Sequence, residues 1–209
     1  MKNKKGGNYN MRIVEFLAKV NIEKCKGCKT CEKVCPIFAI KVIDKKAIVS
    51  EDDCLGCANC EQRCPSYAIT MVKREAPFTV SVNPKEVDQD KLLDLCCKAK
   101  FNPEQVICYC TGTRADEIAA AIIKGAKTPA DVTKMTGART GCKVECIEPI
   151  LRLLEAAGIK LEKAPGYQWY GRTVTAWEIP EEVKQKYNSK GYHFDDDKNL
   201  LEKVCRIKK

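Results

Sequence analysis

Between residues 20 and 75 the apolar positions repeat in two matching halves. The first opens on Val20-Asn21-Ile22, passes through a polar loop and closes on Ile37-Phe38-Ala39-Ile40-Lys41-Val42. The second opens on Ala47-Ile48-Val49 and closes on Ser66-Tyr67-Ala68-Ile69-Thr70-Met71-Val72. Each half predicts a short strand, a loop, one helical turn and another short strand, so the pair reads as an internal duplication. Past Arg74 the pattern changes. Glu75-Ala76-Pro77 and Val82-Asn83-Pro84 read as linker, and the charge and leucine spacing of residues 85–95 predicts a short helix. Residues 114–124 are alanine-rich with Ile118, Ile122 and Ile123 on one face, a helix that Thr113 and Asp116 would cap and Gly125 would end. A second helix starts at Thr128-Pro129 and closes at Gly137; a third covers residues 149–157 and ends at Gly158.

Fifteen cysteines in 209 residues change this picture. Each polar loop carries the same phrase, Cys25-x-x-Cys28-x-x-Cys31-x-x-x-Cys35-Pro36 and Cys54-x-x-Cys57-x-x-Cys60-x-x-x-Cys64-Pro65. Thiols at this spacing hold two [4Fe–4S] clusters, and the fourth cysteine of each run serves the other run's cluster. That implies Cys25, Cys28, Cys31 and Cys64 on one cluster, with Cys54, Cys57, Cys60 and Cys35 on the second. So short a module buries too little apolar surface to stand alone, which makes the clusters part of its core. Gly27 and Gly56 occupy matching loop positions where the backbone is expected to pass close to sulfide. The stretch closely resembles the bacterial-type two-cluster ferredoxins over about 55 residues. Cys28 and Cys57 are both present, so the resemblance implies two [4Fe–4S] cubanes rather than a three-iron variant. Structural zinc is the competing use of four cysteines, but zinc ribbons pair two C-x-x-C knuckles from separate hairpins.

Two further pairs, Cys108/Cys110 and Cys142/Cys146, each lie just ahead of a predicted helix, where the partial positive charge of a helix N-terminus stabilises thiolates. The stretch around residues 104–158 resembles the bacterioferritin-associated-ferredoxin-like [2Fe–2S] domain, a small helical fold with a C-x-C and a later cysteine pair. By that resemblance Cys108, Cys110, Cys142 and Cys146 are ligands of one [2Fe–2S] cluster. The family's second pair is usually C-x-x-C, whereas here three residues intervene and Glu145 stands where the fourth cysteine would fall. A carboxylate ligand and a zinc site are the alternatives. Cys96, Cys97 and Cys205 are left over and read as small core side chains, with shielding or ligation by the Cys96/Cys97 pair as the other option.

The formal charge of +9 carries little further meaning. Residues 1–75 hold 15 Lys/Arg against 9 Asp/Glu, residues 76–158 hold 11 against 11, and residues 159–209 hold 11 against 8. Each oxidised cluster with its four thiolates adds about −2, so three would leave roughly +3. The basic residues read as counter-charge and docking surface, not as a nucleic-acid stripe. Residues 1–10 are basic and polar, Arg12, Glu15 and Lys19 interrupt the apolar residues that follow, and no run is long enough for a membrane span. A reducing cytoplasm is the expected compartment.

Residues 159–209 hold no metal phrase but half the aromatics: Tyr167, Trp169, Tyr170, Trp177, Tyr187, Tyr192 and Phe194. They would pack on the chain's own modules or anchor a partner. Ile179-Pro180 reads as one helix start, and Asp195-Asp196-Asp197 as a cap before a helix over 200–207. The lone His193 reads as a surface or packing residue. Lys5-Gly6-Gly7 and Gly112 have no strand-to-helix context, so no nucleotide fingerprint is present, and no catalytic constellation is expected.

The chain is therefore expected to be α+β. It divides into an extension (1–19), a ferredoxin-like duplicated ββ-type domain (20–75), a linker (76–103), a small all-α [2Fe–2S] domain (104–158) and a docking extension (159–209). Composite modules of this kind occur as small subunits of flavin-dependent dehydrogenases acting on amino acids, proline derivatives or hydroxy acids. That resemblance implies a hetero-oligomer in which a larger flavoprotein dehydrogenase subunit holds flavin and substrate, and this chain relays electrons to an external acceptor. A stand-alone carrier, or an iron or copper trafficking protein, is the alternative.

Overall fold

The computed structural model describes residues 9–168 and 170–205. Trp169, Lys5 to Gly7 and Ile207 lie outside the described residues. The fold mixes helices with three two-stranded antiparallel sheets. In the first module the order is β1 (Met11–Val20), α1 (Thr30–Val34), β2 (Ile40–Ile43), β3 (Lys46–Val49), α2 (Asn59–Gln62) and β4 (Ile69–Ser81), with β1 paired to β4 and β2 to β3.

The repeat seen in the apolar pattern recurs in the backbone. Lys29 and Ala58, one residue ahead of α1 and α2, are both left-handed (φ 61° and 59°), as are Phe38 (59°) and Tyr67 (49°). The Glu32 carboxylate accepts the Val42 N–H at 2.9 Å, and Glu61 accepts the Met71 N–H at 3.0 Å. Gly27 and Gly56 are left-handed too, at φ 67° and 61°. Their crowding comes from backbone: a Cβ on Gly27 would lie 2.5 Å from the Lys45 carbonyl, and one on Gly56 2.4 Å from that of Phe16. The loops thus need glycine because a turn and a strand pass directly over them.

The first strand starts well upstream of the expected Val20. Residues 11–19, expected as an extension, form most of β1, and Glu75-Ala76-Pro77, expected as linker, lies inside β4. Charged residues obscured β1, yet Arg12, Glu15 and Lys19 sit at its exposed or half-exposed positions while Val14, Leu17 and Ala18 face the core. The register jumps from Val14 opposite Phe78 to Phe16 opposite Lys73. Residues 74–77 bulge out there, where Pro77 has no N–H to give the ladder.

The second module is α3 (Gln89–Lys98), β5 (Val106–Cys108), β6 (Thr113–Arg114), α4 (Ala115–Ile123), α5 (Pro129–Thr136) and α6 (Ile147–Ala156), after a short 3-10 turn at Pro84–Glu86. It is helical but not wholly so, because β5 and β6 pair. Its core is dense: Ile118, Val132, Ile150, Leu153 and Leu154 are fully buried. Thr128 caps α5 as expected, accepting the Asp131 N–H at 3.1 Å. Arg114, not Thr113, precedes α4, and Glu117 rather than Asp116 closes that turn, accepting the Arg114 N–H at 2.9 Å. Asp116 instead pairs with the Arg114 guanidinium at 3.0 Å. The third helix begins at Ile147, two residues before Pro149, which a first helical turn tolerates.

The modules are bonded to each other. Asn10 donates its N–H to Glu117 at 2.7 Å and its side-chain amide to the Thr111 carbonyl. Arg12 spans from Leu55 to Thr140, and Lys134 pairs with Asp53 at 3.0 Å. The tail straps onto both. The Tyr167 N–H donates to the Lys33 carbonyl at 2.8 Å, and Arg172 pairs with Glu148, Glu155 and Glu178 at 3.2, 2.8 and 2.6 Å. Its helices α7 (Glu181–Asn188) and α8 (Phe194–Cys205) bury no residue. Asp195 to Asp197 lie within the first turn of α8, not ahead of it. Among the described tail aromatics, Tyr192 stacks on Phe194 and meets Tyr187 edge-on, and Tyr167, Tyr170 and Tyr192 stay about half exposed.

Replacing Gly56 by Ala combines a left-handed backbone with a clash against Phe16, and is expected to cost about 3 kcal/mol. Gly158→Ala, also left-handed (φ 79°) but facing open space, should cost about 1 kcal/mol. Anaerobic denaturant titrations of the two variants compare them; equal losses would sink the crowding argument.

Candidate metal centres

The structure gathers the eight cysteines of the first module into two groups. Cys28 feels the charge of Cys64, and Cys31 those of Cys28 and Cys25. Cys60 feels Cys57, Cys54 and Cys35, and Cys35 feels Cys57 and Cys54. Cys35 therefore faces the second run's three cysteines, and Cys64 faces Cys28 of the first run. Cys35, Cys54, Cys57 and Cys60 line one cavity with Ile37, Leu55 and other apolar side chains.

The sulfurs meet a ring of donors. Backbone N–H groups of Ala39 and Ala68 point at Cys35 and Cys64 at 3.3 Å each, one in each half of the repeat, and that of Ala47 at Cys25 at 3.4 Å. Side chains join them at matching positions: Thr30 Oγ1 is 3.4 Å from Cys28 Sγ, and the Asn59 amide donates to Cys57 Sγ at 3.2 Å. Cys28 is exposed, whereas no thiol of the other group is. The hydrogen bond with Thr30 lowers the Cys28 pKa. Burial, followed by the neighbouring sulfurs, pushes Cys60 up to about 12, and burial leads in raising Cys31 to about 11. Several sulfurs so buried are anionic together only when cationic metal neutralises them.

The third group forms where β5, the following turn and the segment ahead of α6 converge. Cys108 and Cys146 are buried and hydrogen-bonded to each other, while the exposed Cys110 and Cys142 form a second linked pair. The bond from Cys146, against the cost of burial and with help from Thr111 and Arg139, lowers Cys108 to about 5; the same bond drives Cys146 upward. The Cys142 N–H donates to Cys110 Sγ at 3.4 Å. A Cβ on Gly141 would lie 2.7 Å from that sulfur, so the chain here passes as close as glycine allows. Cys146 immediately precedes α6 and stands in the group, while Glu145 is exposed. The extra residue in this second pair is absorbed by the turn into the helix.

Arg139 gives the donor set its charge balance. It is only 7% exposed, adopts a left-handed backbone (φ 67°), faces Cys146, and its Nε has no hydrogen-bond partner. A buried guanidinium with an unpaired nitrogen facing Cys146 fits an anionic metal–sulfur group there. Among the described residues no three Cys, His, Asp or Glu side chains close around a single ion. Cys96 lies outside the groups, fully buried in the helical core and raised to about 12, chiefly by burial. Cys97 is exposed; Cys205 is held in α8 by a bond to the Lys100 carbonyl. His193 is exposed, in the tail.

Asn59, Arg139, Lys143 and the sulfur-facing N–H groups do not emerge from the cysteine spacing. Thr30 and Asn59 carry one legible signal: both stand two residues after the second cysteine of their run.

Thiols grouped this way, with donors aimed at sulfur, fit iron–sulfur centres. Residues 24–68 match the model of the 4Fe-4S dicluster domain, and residues 106–156 match that of the BFD-like [2Fe-2S] binding domain. The chain thus joins the two domains that its cysteine phrases predict. No curated protein and no solved structure matches it. No helix among the described residues is long and apolar enough to cross a membrane.

In the first module Cys31, Cys54 and Cys60 are part of a small core, whereas Cys108 and Cys146 are a lesser share of a larger helical core. Anaerobic chelation of iron is expected to abolish amide-exchange protection over residues 20–72 while residues 115–156 retain most of theirs. Uniform loss across both modules would contradict this.

Proposed function

We propose that the chain is a cytoplasmic electron relay, working in a hetero-oligomer between a larger flavoprotein dehydrogenase subunit and an external acceptor. Cys25, Cys28, Cys31 and Cys64 would hold one [4Fe–4S] cluster, Cys54, Cys57, Cys60 and Cys35 a second, and Cys108, Cys110, Cys142 and Cys146 a [2Fe–2S] cluster. When bound, such clusters supply one-electron chemistry at potentials set by ligands, hydrogen bonds and burial. The residues described above hold the sulfurs, aim N–H groups at them and place Arg139 as counter-charge.

One observation carries the reading: three thiol groups lie in two mutually bonded modules, and two of the groups reach solvent while the third does not. Cys28 is exposed in one group, Cys110 and Cys142 in another, and the group of Cys35, Cys54, Cys57 and Cys60 has no exposed thiol. That arrangement suits a protein that accepts electrons at one face and passes them on at another. The half-exposed tail tyrosines supply anchors of the kind favoured at protein interfaces.

Anaerobically purified protein is expected to carry about ten irons per chain and, once reduced, both [4Fe–4S] and [2Fe–2S] EPR signals. About eight irons with one zinc would remove the third cluster from the proposal. Cys146→Ala should lose about two irons and the [2Fe–2S] signal, while Glu145→Gln should keep both. The partner is tested by anaerobic affinity purification from the native cell: a flavoprotein should co-purify and reduce the chain. A fully loaded chain that purifies alone and accepts no electrons from any flavoprotein rejects the subunit role.

A further inference from the structure

The segment Arg139-Thr140-Gly141-Cys142-Lys143 touches sulfur in its own module and reaches the first module's sulfur through Asn59. Toward its own module, the Arg139 N–H reaches Cys108 and the Cys142 N–H reaches Cys110 Sγ at 3.4 Å. Toward the first module, the Thr140 carbonyl accepts a hydrogen bond from Asn59 Nδ2 at 3.0 Å. The same Asn59 nitrogen donates to Cys57 Sγ at 3.2 Å. One side-chain amide therefore spans from a thiol of one group to the backbone that holds the next. From Cys57 Sγ the contacts run through Asn59 Nδ2, the Thr140 carbonyl, the Gly141 backbone and the Cys142 N–H to Cys110 Sγ.

Lys143 reinforces this bridge. Its ammonium is half-buried, donates to the Val34 carbonyl, and faces Cys57 and Cys35 as well as Arg139. Thr140 is held from another direction by Arg12, which also donates to Leu55, the residue after Cys54. Among the described residues, the sulfurs of Cys25, Cys28, Cys31 and Cys64 are met by Thr30, Ala47, Ser66 and Ala68, all within the first module.

Resting on the relay reading above, we propose that Asn59 is the coupling residue of the chain, with Lys143 as its cation. The group Cys35/Cys54/Cys57/Cys60 is then the immediate electron partner of Cys108/Cys110/Cys142/Cys146, and the Cys25/Cys28/Cys31/Cys64 group is the outer terminus. Clusters held by these two groups would exchange one electron, with no bond made or broken and no proton moved. Asn59 is a positioning residue here. Its N–H favours the more negative, reduced state at Cys57, and its second hydrogen bond fixes the next group against it.

The test uses the full chain, loaded and handled anaerobically, in EPR-monitored titrations with dithionite. Asn59→Leu should make reduction of one [4Fe–4S] centre about tenfold less favourable, about 59 mV for one electron, and leave the other unmoved. Freeze-quenched samples given less than one equivalent of dithionite should show severalfold slower equilibration between that centre and the [2Fe–2S] centre. Lys143→Met should lower the same [4Fe–4S] midpoint, and Ser66→Ala, beside Cys64, should shift only the other. Unmoved midpoints and rates in fully loaded Asn59→Leu overturn the proposal, as does a shift at the centre that responds to Ser66→Ala. If Asn59→Leu loads poorly, Lys143→Met decides, and no shift there overturns it. Wild-type protein short of ten irons or lacking a [2Fe–2S] signal rejects the relay reading itself, an outcome separable from full loading with unmoved midpoints.

Discussion

Buried sulfur is the constraint on which this structure turns. A thiolate sheltered from water is costly unless positive charge and hydrogen-bond donors face it, and here three groups of four must be satisfied in a chain of 209 residues. The left-handed residues ahead of α1 and α2, the inward N–H groups of Ala39, Ala47 and Ala68, and the buried Arg139 all answer that demand. The two modules answer it differently. The first has the smaller core, with Cys31, Cys54 and Cys60 among its buried residues, and aims backbone N–H groups at its sulfurs. The second has a full helical core and concentrates its answer in one guanidinium and one glycine-tight turn.

How much of this was legible in the sequence follows from what each feature depends on. The cysteine runs set their own grouping, because ligand spacing is a matter of chain length between sulfurs. The α5 boundaries were equally plain, since Thr128, Pro129 and Gly137 each have one strong local preference. β1 was hidden because its charged residues look like interruptions when read as an apolar run, although a strand with one covered face carries charge at its outward positions without penalty. Glu75-Ala76-Pro77 looked like linker for a related reason: a bulge and a linker use the same residues, and only the partner strand tells them apart.

The donors to sulfur were the least legible part. Every residue except proline has an N–H, so nothing in composition shows which of them points at a metal group. Asn59 is ordinary in the sequence, and its role depends on Thr140, a residue far along the chain that the fold brings beside it. The irregular second cysteine pair illustrates the opposite case. Its extra residue looked like a defect in the pattern until α6 was seen to begin at Ile147, which carries Cys146 into the group and leaves Glu145 outside.

The pairing of β1 with β4, together with the bond from Asn10 to Glu117, joins segments that synthesis makes at different times. Residues 11–20 are made before their partner strand, which ends at Ser81, and Asn10 before its clamp on the helical module, about a hundred residues downstream. The opening segment must therefore wait, unpaired, while both ferredoxin loops are made. The strand that passes over Gly56 can therefore pair only after both cysteine loops exist, and it acts as their seal.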